Sequence, residues 1–328
     1  MQKPDRKSIS PAFRLLFGNQ LSGIVLALLL IILVASLFSP YFLTPYNISI
    51  TIRSLAFVGL VSLGQALLLI LGDLDLSVGS IAGLCGVIGG KLMVDFHVDP
   101  FLSFALALVC GAGCGFLNGL IINALNLNAL VVTIGMAGVY GGINLVITTG
   151  KAIIGIPQAI RFLGTGDLFG LPFPFVVLVL MLILVYALTM FTPFGRYMYA
   201  IGNSRDAAKM LGIRVARIRV ICFMLACLLA SLAGMLMVAR LGSSQPSIGE
   251  TWVLTSIAAP VIGGIATTGG IGNPAGAIVG AAIIGVIENI IVLFGVSPYW
   301  QTVVSGAIVV IAVSLDAVSR WLVRRKKL

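Results

Sequence analysis

Read from its N-terminus, the chain alternates long apolar runs with short polar breaks. The runs fall at about 21–39, 50–70, 74–92, 101–122, 128–148, 171–191, 220–240, 252–267, 275–296 and 299–318. Most are close to the roughly 20 residues that an α-helix needs to cross the hydrocarbon core of a bilayer. The pattern predicts an all-α, polytopic membrane protein of about ten transmembrane helices. The second and third runs nearly touch, and the eighth is short and holds Pro260 and the pair Gly263 and Gly264.

Composition points to the same solvent. Hydrophobic residues make up 59% of the 328 and charged residues only 9%, where a soluble domain carries about 25% charged residues. Too few charges remain to cover a water-facing surface, and the mean hydropathy of +1.16 fits lipid instead. The 39 glycines suit helices packed closely within a bilayer, because small residues let backbones approach. The first apolar run is too long for the core of a signal peptide, so it reads as a retained first helix. Cys85, Cys110, Cys114, Cys222 and Cys227 all lie in apolar runs and form no CxxC pair. They read as buried, inert thiols rather than a disulfide framework.

The net charge of +10 is distributed as the positive-inside rule distributes it, which removes nucleic acid as its explanation. Lys3, Arg6, Lys7 and Arg14 precede the first run. Arg196, Arg205, Lys209, Arg214, Arg217 and Arg219 fill the connection between the sixth and seventh runs. Arg320, Arg324, Arg325, Lys326 and Lys327 follow the last. These four, six and five residues are fifteen of the twenty basic side chains. Ten spans place all three clusters on one face, the cytoplasmic one, with both termini inside. The chain then divides into a cytoplasmic N-terminal segment (1–20), one transmembrane domain (21–318) and a basic cytoplasmic tail (319–328). The connections 40–49, 93–100, 149–170, 241–251 and 297–298 face outward. Two glycine-rich breaks, Leu71–Ser80 and Thr267–Gly276, each join two runs on the cytoplasmic side and resemble each other faintly.

Catalytic signatures are absent. The nearest approach to a phosphate loop, Gly86–Lys91, has Cys85 where the leading glycine belongs and Leu92 where Ser or Thr must follow the lysine. No cofactor is expected in this chain, and the energy for any uphill transport must come from a partner or an ion gradient. An ion-driven carrier shows ionisable residues deep in its helices. Of ten acidic residues only Asp73, Asp75 and Glu288 lie inside or between closely spaced runs, and a mid-bilayer carboxylate costs about 2.5–3.5 kcal/mol. Asp73 and Asp75 sit at a span junction, where capping or packing accounts for them and ion coupling is the alternative. Glu288, with Asn289 beside it, reads either as a polar pathway residue or as a hydrogen bond between helices. Gln65, Asn144 and Gln301 join them as candidate lining of a solute pathway; a neutral solute needs no charged site. Asn118 is one more polar residue inside a run.

The connection 192–219 carries the most information. Ser204 or Asn203 can cap a helix beginning near Arg205. Asp206 lies in its first turn, as the helix dipole prefers, and Gly212 can end it. The spacing predicts a helix of about two turns, exposed to the cytosol, with small residues Ala207 and Ala208 suited to a groove on another protein. An ordinary basic loop held by anionic membrane lipid is the other reading.

These residues also resemble a known family, the permease subunits of bacterial ABC importers of the ribose and monosaccharide type. Asp206, Ala207, Ala208 and Gly212 are similar to the family's E-A-A-x-x-x-G coupling loop, and Pro193–Asn203 precedes them as it does there. Asp75, Ser77 and Gly79 stand in a D-L-S-V-G-S stretch like the family's. Leu232–Gly234, Ala239–Ser243 and Pro260–Gly264 follow in the family's order, so the resemblance runs from about residue 20 to near the end. It implies a multi-pass protein of the bacterial inner membrane that binds no cofactor itself. ATP and magnesium would be bound by a separate ABC ATPase, often a tandem fused one, docking on Arg205, Asp206, Ala207, Ala208, Lys209, Gly212 and Arg214. A second permease subunit, identical or a close relative, would complete the pathway. A periplasmic sugar-binding protein would deliver the solute, and the chain would work by alternating access. Two competing readings are a stand-alone secondary sugar carrier, which needs an ion relay, and an intramembrane lipid-modifying enzyme, which needs a polar catalytic cluster.

Overall fold

The computed structural model describes residues 20–297, 300–311 and 314. Its long helices are α1 (Gln20–Phe38), α2 (Pro45–Leu71), α3 (Val78–Val94), α4 (Pro100–Ala124), α5 (Ala129–Thr148), α7 (Phe173–Phe191), α10 (Val215–Leu241) and α12 (Pro274–Leu293). Shorter ones are α6 (Arg161–Thr165), α8 (Pro193–Asn203), α9 (Arg205–Met210), α11 (Trp252–Ile262) and α13 (Trp300–Ile311). Their starts are set locally. Thr44, Asp99, Asn128 and Asn273 each accept a backbone N–H of the first turn, for α2, α4, α5 and α12. Proline follows the cap directly in α2, α4 and α12, where its missing N–H is no loss and its φ suits the helix.

Among the described residues seven helices are long and apolar enough to cross a bilayer: α1, α2, α4, α5, α7, α10 and α12. The eighth apolar run does not continue as a full-length helix. At about 1.5 Å per residue, the 11 residues of α11 reach only about half of a hydrocarbon core of roughly 30 Å. Pro260 lies near its end, and the N–H of Ile265 turns back onto the Pro260 carbonyl at 2.9 Å. The chain then runs irregularly to Asn273, with Gly264, Gly269, Gly270 and Gly272 at positive φ.

Two helices form the centre. α2 and α10 are the most buried of the seven, and they pack on each other. α10 also runs along α3 and α4; α11 and α12 pair and lie on α2; α5 covers α3, α7 covers α2, and α1 lies on α12. A Cβ at Gly234 would strike the Ala82 carbonyl oxygen, so only glycine lets α10 approach the α3 backbone this closely. The periphery is apolar: Leu29, Leu30 and Leu33 of α1 and Val109, Phe116 and Leu117 of α4 are exposed. Such a surface needs lipid, and a multi-pass membrane protein is the result.

The connection 149–170 is built rather than loose. Its strand β1 (Ile153–Ile154) pairs with β4 (Ser243–Ser244), and β2 (Asp167–Leu168) forms a hairpin with β3 (Leu171–Pro172). Asp167 meets Arg53 of α2 at 3.0 Å. The phosphate-loop-like stretch 86–91 is ordinary α3 helix, with Lys91 paired to Asp95 at 2.7 Å. All five cysteines are free, four of them buried.

Candidate functional site

The connection between α7 and α10 folds as two helices rather than one. α8 is amphipathic and buries Gly195, Met198 and Ile201 against the bundle. The sequence reading passed over it, although Thr192 followed by Pro193 is a helix-start signal. α9 then begins where expected. The Ser204 hydroxyl accepts the Ala207 N–H at 3.3 Å, Asp206 lies in the first turn, and Gly212 leaves the helix at φ 79°. At six residues α9 makes just under two turns, close to the expected length. Its faces differ: Ala208 is buried, while Asp206, Ala207 and Lys209 face outward with Arg214 beyond them. Met210 and Leu211 are 89% and 79% exposed, two apolar side chains with nothing over them.

Arg205 does not join that outer face. It turns inward and meets Asp73 at 2.8 Å and the Gly72 carbonyl at 3.2 Å. Arg219, in the first turns of α10, reaches the same carboxylate with two donors, Nε and Nη2, both at 2.7 Å. Asp73 and Arg219 are almost wholly buried, at 4% and 7% side-chain exposure. A buried carboxylate is tolerable when paired and fully hydrogen-bonded, and the two arginines supply that. Asp73 therefore caps no helix; it ties α9, α10 and the α2–α3 break into one node. The second glycine-rich break joins it. The Gly270 N–H donates to the Ile70 carbonyl at 2.8 Å, and the Tyr199 hydroxyl of α8 donates to the Gly272 carbonyl at 2.8 Å. Burial, and then the neighbouring Tyr186, push the Tyr199 phenol up to about 12, so it stays a donor. A Cβ at Gly202 would strike both the Ile70 oxygen and the Gly270 nitrogen; α8 sits hard against the two breaks. An open cavity of about 560 Å³ lies here, lined by Asp73, Arg205, Arg219, Asn128 and Thr268 among others.

Asp75 belongs to a second, separate network. One carboxylate oxygen accepts the Ser77 N–H and hydroxyl; the other faces Asn118 Nδ2 at 3.2 Å and Cys227 Sγ at 3.5 Å. Asn118 in turn accepts the Tyr140 hydroxyl at 3.0 Å. This polar knot joins α3, α4, α5 and α10. Ser77 precedes α3 without a side-chain cap, and Gly79 lies against the Gly249 carbonyl, where a Cβ would not fit.

The five candidate pathway residues separate into two groups. Glu288 and Gln301 line one cleft of about 340 Å³ between α2, α10, α11, α12 and α13, where Ser305 donates to Glu288 at 3.1 Å and Gln301 Nε2 lies 3.5 Å from the Glu288 carbonyl. Asn289 is next to them but bonds Asn47 reciprocally, at 2.8 and 3.0 Å. Gln65 and Asn144 stand apart. Gln65 is fully buried with neither amide atom partnered, and Asn144 donates to the Pro246 carbonyl at 2.8 Å. The cleft also holds Phe57 and Trp252, which the sequence reading did not single out, and Arg240, which it noted only as part of the Ala239–Ser243 stretch. Among the described residues no group of His, Cys, Asp and Glu is placed to hold a metal.

Comparison with known proteins shows the family. A family model described as the permease component of a branched-chain amino acid transport system matches residues 47–313. The ribose import permease protein RbsC of Bacillus subtilis (strain 168) is 38% identical over 296 residues, spanning 90% of this chain and 92% of that protein. RbsC of Escherichia coli (strain K12) is 33% identical, over 89% of this chain and 92% of its own length. The fructose import permease protein FrcC of Rhizobium meliloti is 32% identical, over 84% and 79%. With matches across so much of its length, the chain belongs to the permease family of ABC importers, among the ribose and monosaccharide type, as a membrane subunit without an ATPase site of its own.

Proposed function

We propose that this chain forms the solute pathway of an ATP-driven importer of a monosaccharide or related small polyol. It lies in the bacterial cytoplasmic membrane with ten crossings, the eighth made by α11 and the irregular stretch after it, and both termini in the cytoplasm, as the positions of its basic residues favour. Its transmembrane domain comprises residues 21–318. A second permease subunit, an ABC ATPase and a periplasmic sugar-binding protein complete the importer, and the ATPase binds ATP and magnesium. The names of the ribose and fructose import relatives support a sugar over an amino acid.

One observation carries the coupling part of this reading. α9 shows an exposed outer face, with Met210 and Leu211 uncovered, while its first residue is anchored to Asp73. A partner seated on Ala207, Lys209, Met210, Gly212 and Arg214 can therefore move Arg205. Through Asp73 that motion reaches Arg219 of α10 and the break between α2 and α3 at once. α2 and α10 are the two central helices, so the rocking needed for alternating access begins at the core.

The test is to place a cysteine at exposed Ala207 and a bifunctional thiol reagent on the assembled complex. The expected product is a crosslink to the ATPase whose yield changes on ATP binding. A complex that assembles yet gives no such product, and whose uptake survives Gly212→Pro combined with Ala207→Arg, contradicts the assignment of this loop.

A further inference from the structure

The cleft near Glu288 differs from every other polar cluster among the described residues, because its charges are not used up internally. The Arg240 guanidinium, which lies 5.4 Å above the Phe57 ring, has no carboxylate within ion-pair distance among the described residues. Glu288 accepts one side-chain hydrogen bond, from Ser305, on one of its two oxygens. Phe57 and Trp252 stack with their planes 5° apart and centroids 6.2 Å apart, and both line the cleft. Hydroxyls of Ser54, Thr255 and Thr302 complete the wall. All of this lies at the opposite end of α2 and α10 from the Asp73 node: Ser54 and Phe57 stand in the first half of α2, and Arg240 at the end of α10.

We infer that this cleft is where the solute rests in the membrane, and that its ligand is a neutral, polyhydroxylated ring. The inference rests on the importer reading above. The chemistry favours that class over others. Phe57 and Trp252, 1% and 7% exposed, give the cleft an apolar edge for the C–H groups of a sugar ring, while hydroxyls both donate and accept. Arg240 supplies donors only, and Glu288 supplies acceptors. Together they satisfy several hydroxyls with charge-assisted bonds. With the exposed Glu250 also on its wall, the cleft holds two carboxylates against one guanidinium, so an anionic solute is disfavoured. The volume of about 340 Å³ falls at the small end of ordinary ligand sites, which suits a single sugar rather than a chain of them. A zwitterionic amino acid could also use one cation and one anion, and the experiment separates it.

The importer is reconstituted in vesicles with its ATPase and binding protein, and uptake of labelled D-ribose, D-fructose, L-arabinose and L-leucine is measured together with ATP hydrolysis. Glu288→Gln, Arg240→Gln and Trp252→Leu are compared with the unaltered chain. The expected result is sugar uptake reduced by about tenfold or more per ATP hydrolysed, the loss typical of one hydrogen bond to a charged group. Stimulation of the ATPase by the binding protein should persist, which shows that the variants are assembled. Ser305→Ala, which removes the hydroxyl that holds the Glu288 carboxylate in place without altering charge, should show a smaller loss in the same direction. Sugar uptake per ATP unchanged in all four variants overturns the cleft while leaving the importer reading intact. Transport of leucine in preference to the sugars overturns the ligand class. Sugar uptake that does not require ATP overturns the importer reading itself.

Discussion

The two ends of the α2–α10 pair handle charge in opposite ways. At one end Asp73 is consumed by Arg205 and Arg219, with three donors on one buried carboxylate. At the other, Arg240 and Glu288 lie within one cleft and do not pair. Internal neutralisation turns charged side chains into a rigid joint. Charges left without protein partners remain available for something that comes and goes. The contrast assigns force transmission to the first region and solute contact to the second, although neither contains any catalytic chemistry.

Breaking the joint should have the largest effect. Asp73→Ala leaves Arg219 buried without a partner, a change that costs about 3–5 kcal/mol where a buried pair is broken on one side. The expected outcome is a marked fall in thermal stability in detergent and loss of ATP-dependent uptake. Replacing both partners, Asp73→Leu with Arg219→Met, sharpens the point. Apolar replacement of a buried pair is often close to neutral, so stability should return while coupling of hydrolysis to uptake does not. Full recovery of uptake in that double variant would reduce the joint to a packing element.

Next comes the contact that holds α8 on the two glycine-rich breaks. Gly202→Val drives a side chain into the Ile70 and Gly270 backbone, and overpacking of this kind costs about 1–3 kcal/mol. Protease accessibility of the 192–219 connection should rise. Ser204→Ala removes the cap of α9 and costs about 1 kcal/mol, visible as faster amide exchange in residues 205–210 with the rest of the bundle unaffected. The smallest effect is predicted at the other end. Glu288→Gln keeps the Ser305 contact geometry and removes a charge that no cation among the described residues pairs with, so thermal stability should stay where it is. A large loss of stability there would show that Glu288 is structural, and the contrast between the two regions would fall.

Much of this architecture can be read from the chain. Apolar runs locate the long helices, because a bilayer admits few other solutions, and Ser204, Asp206 and Gly212 mark α9 through capping rules that act over a few residues. What could not be read depends on distance along the chain or on direction around a helix. Asp73 finds Arg205 and Arg219 across 132 and 146 residues, so its sequence context suggested only a junction carboxylate. Arg205 looked like one more basic residue of an exposed loop until its partner was visible. Phe57 and Trp252 were passed over for a related reason. In a helix that is apolar all round, hydrophobicity does not distinguish the face toward lipid from the face toward a cleft. α8 escaped notice because Pro193 and the glycines Gly195 and Gly202 disguise an amphipathic turn as a loop.

The most direct test of the account is uptake of D-ribose into vesicles that hold this chain, its ATPase and the binding protein, compared with vesicles holding this chain alone under an imposed proton or sodium gradient. The account predicts uptake that requires ATP and all three components, and none with the chain alone. Gradient-driven sugar uptake by the chain alone would contradict it.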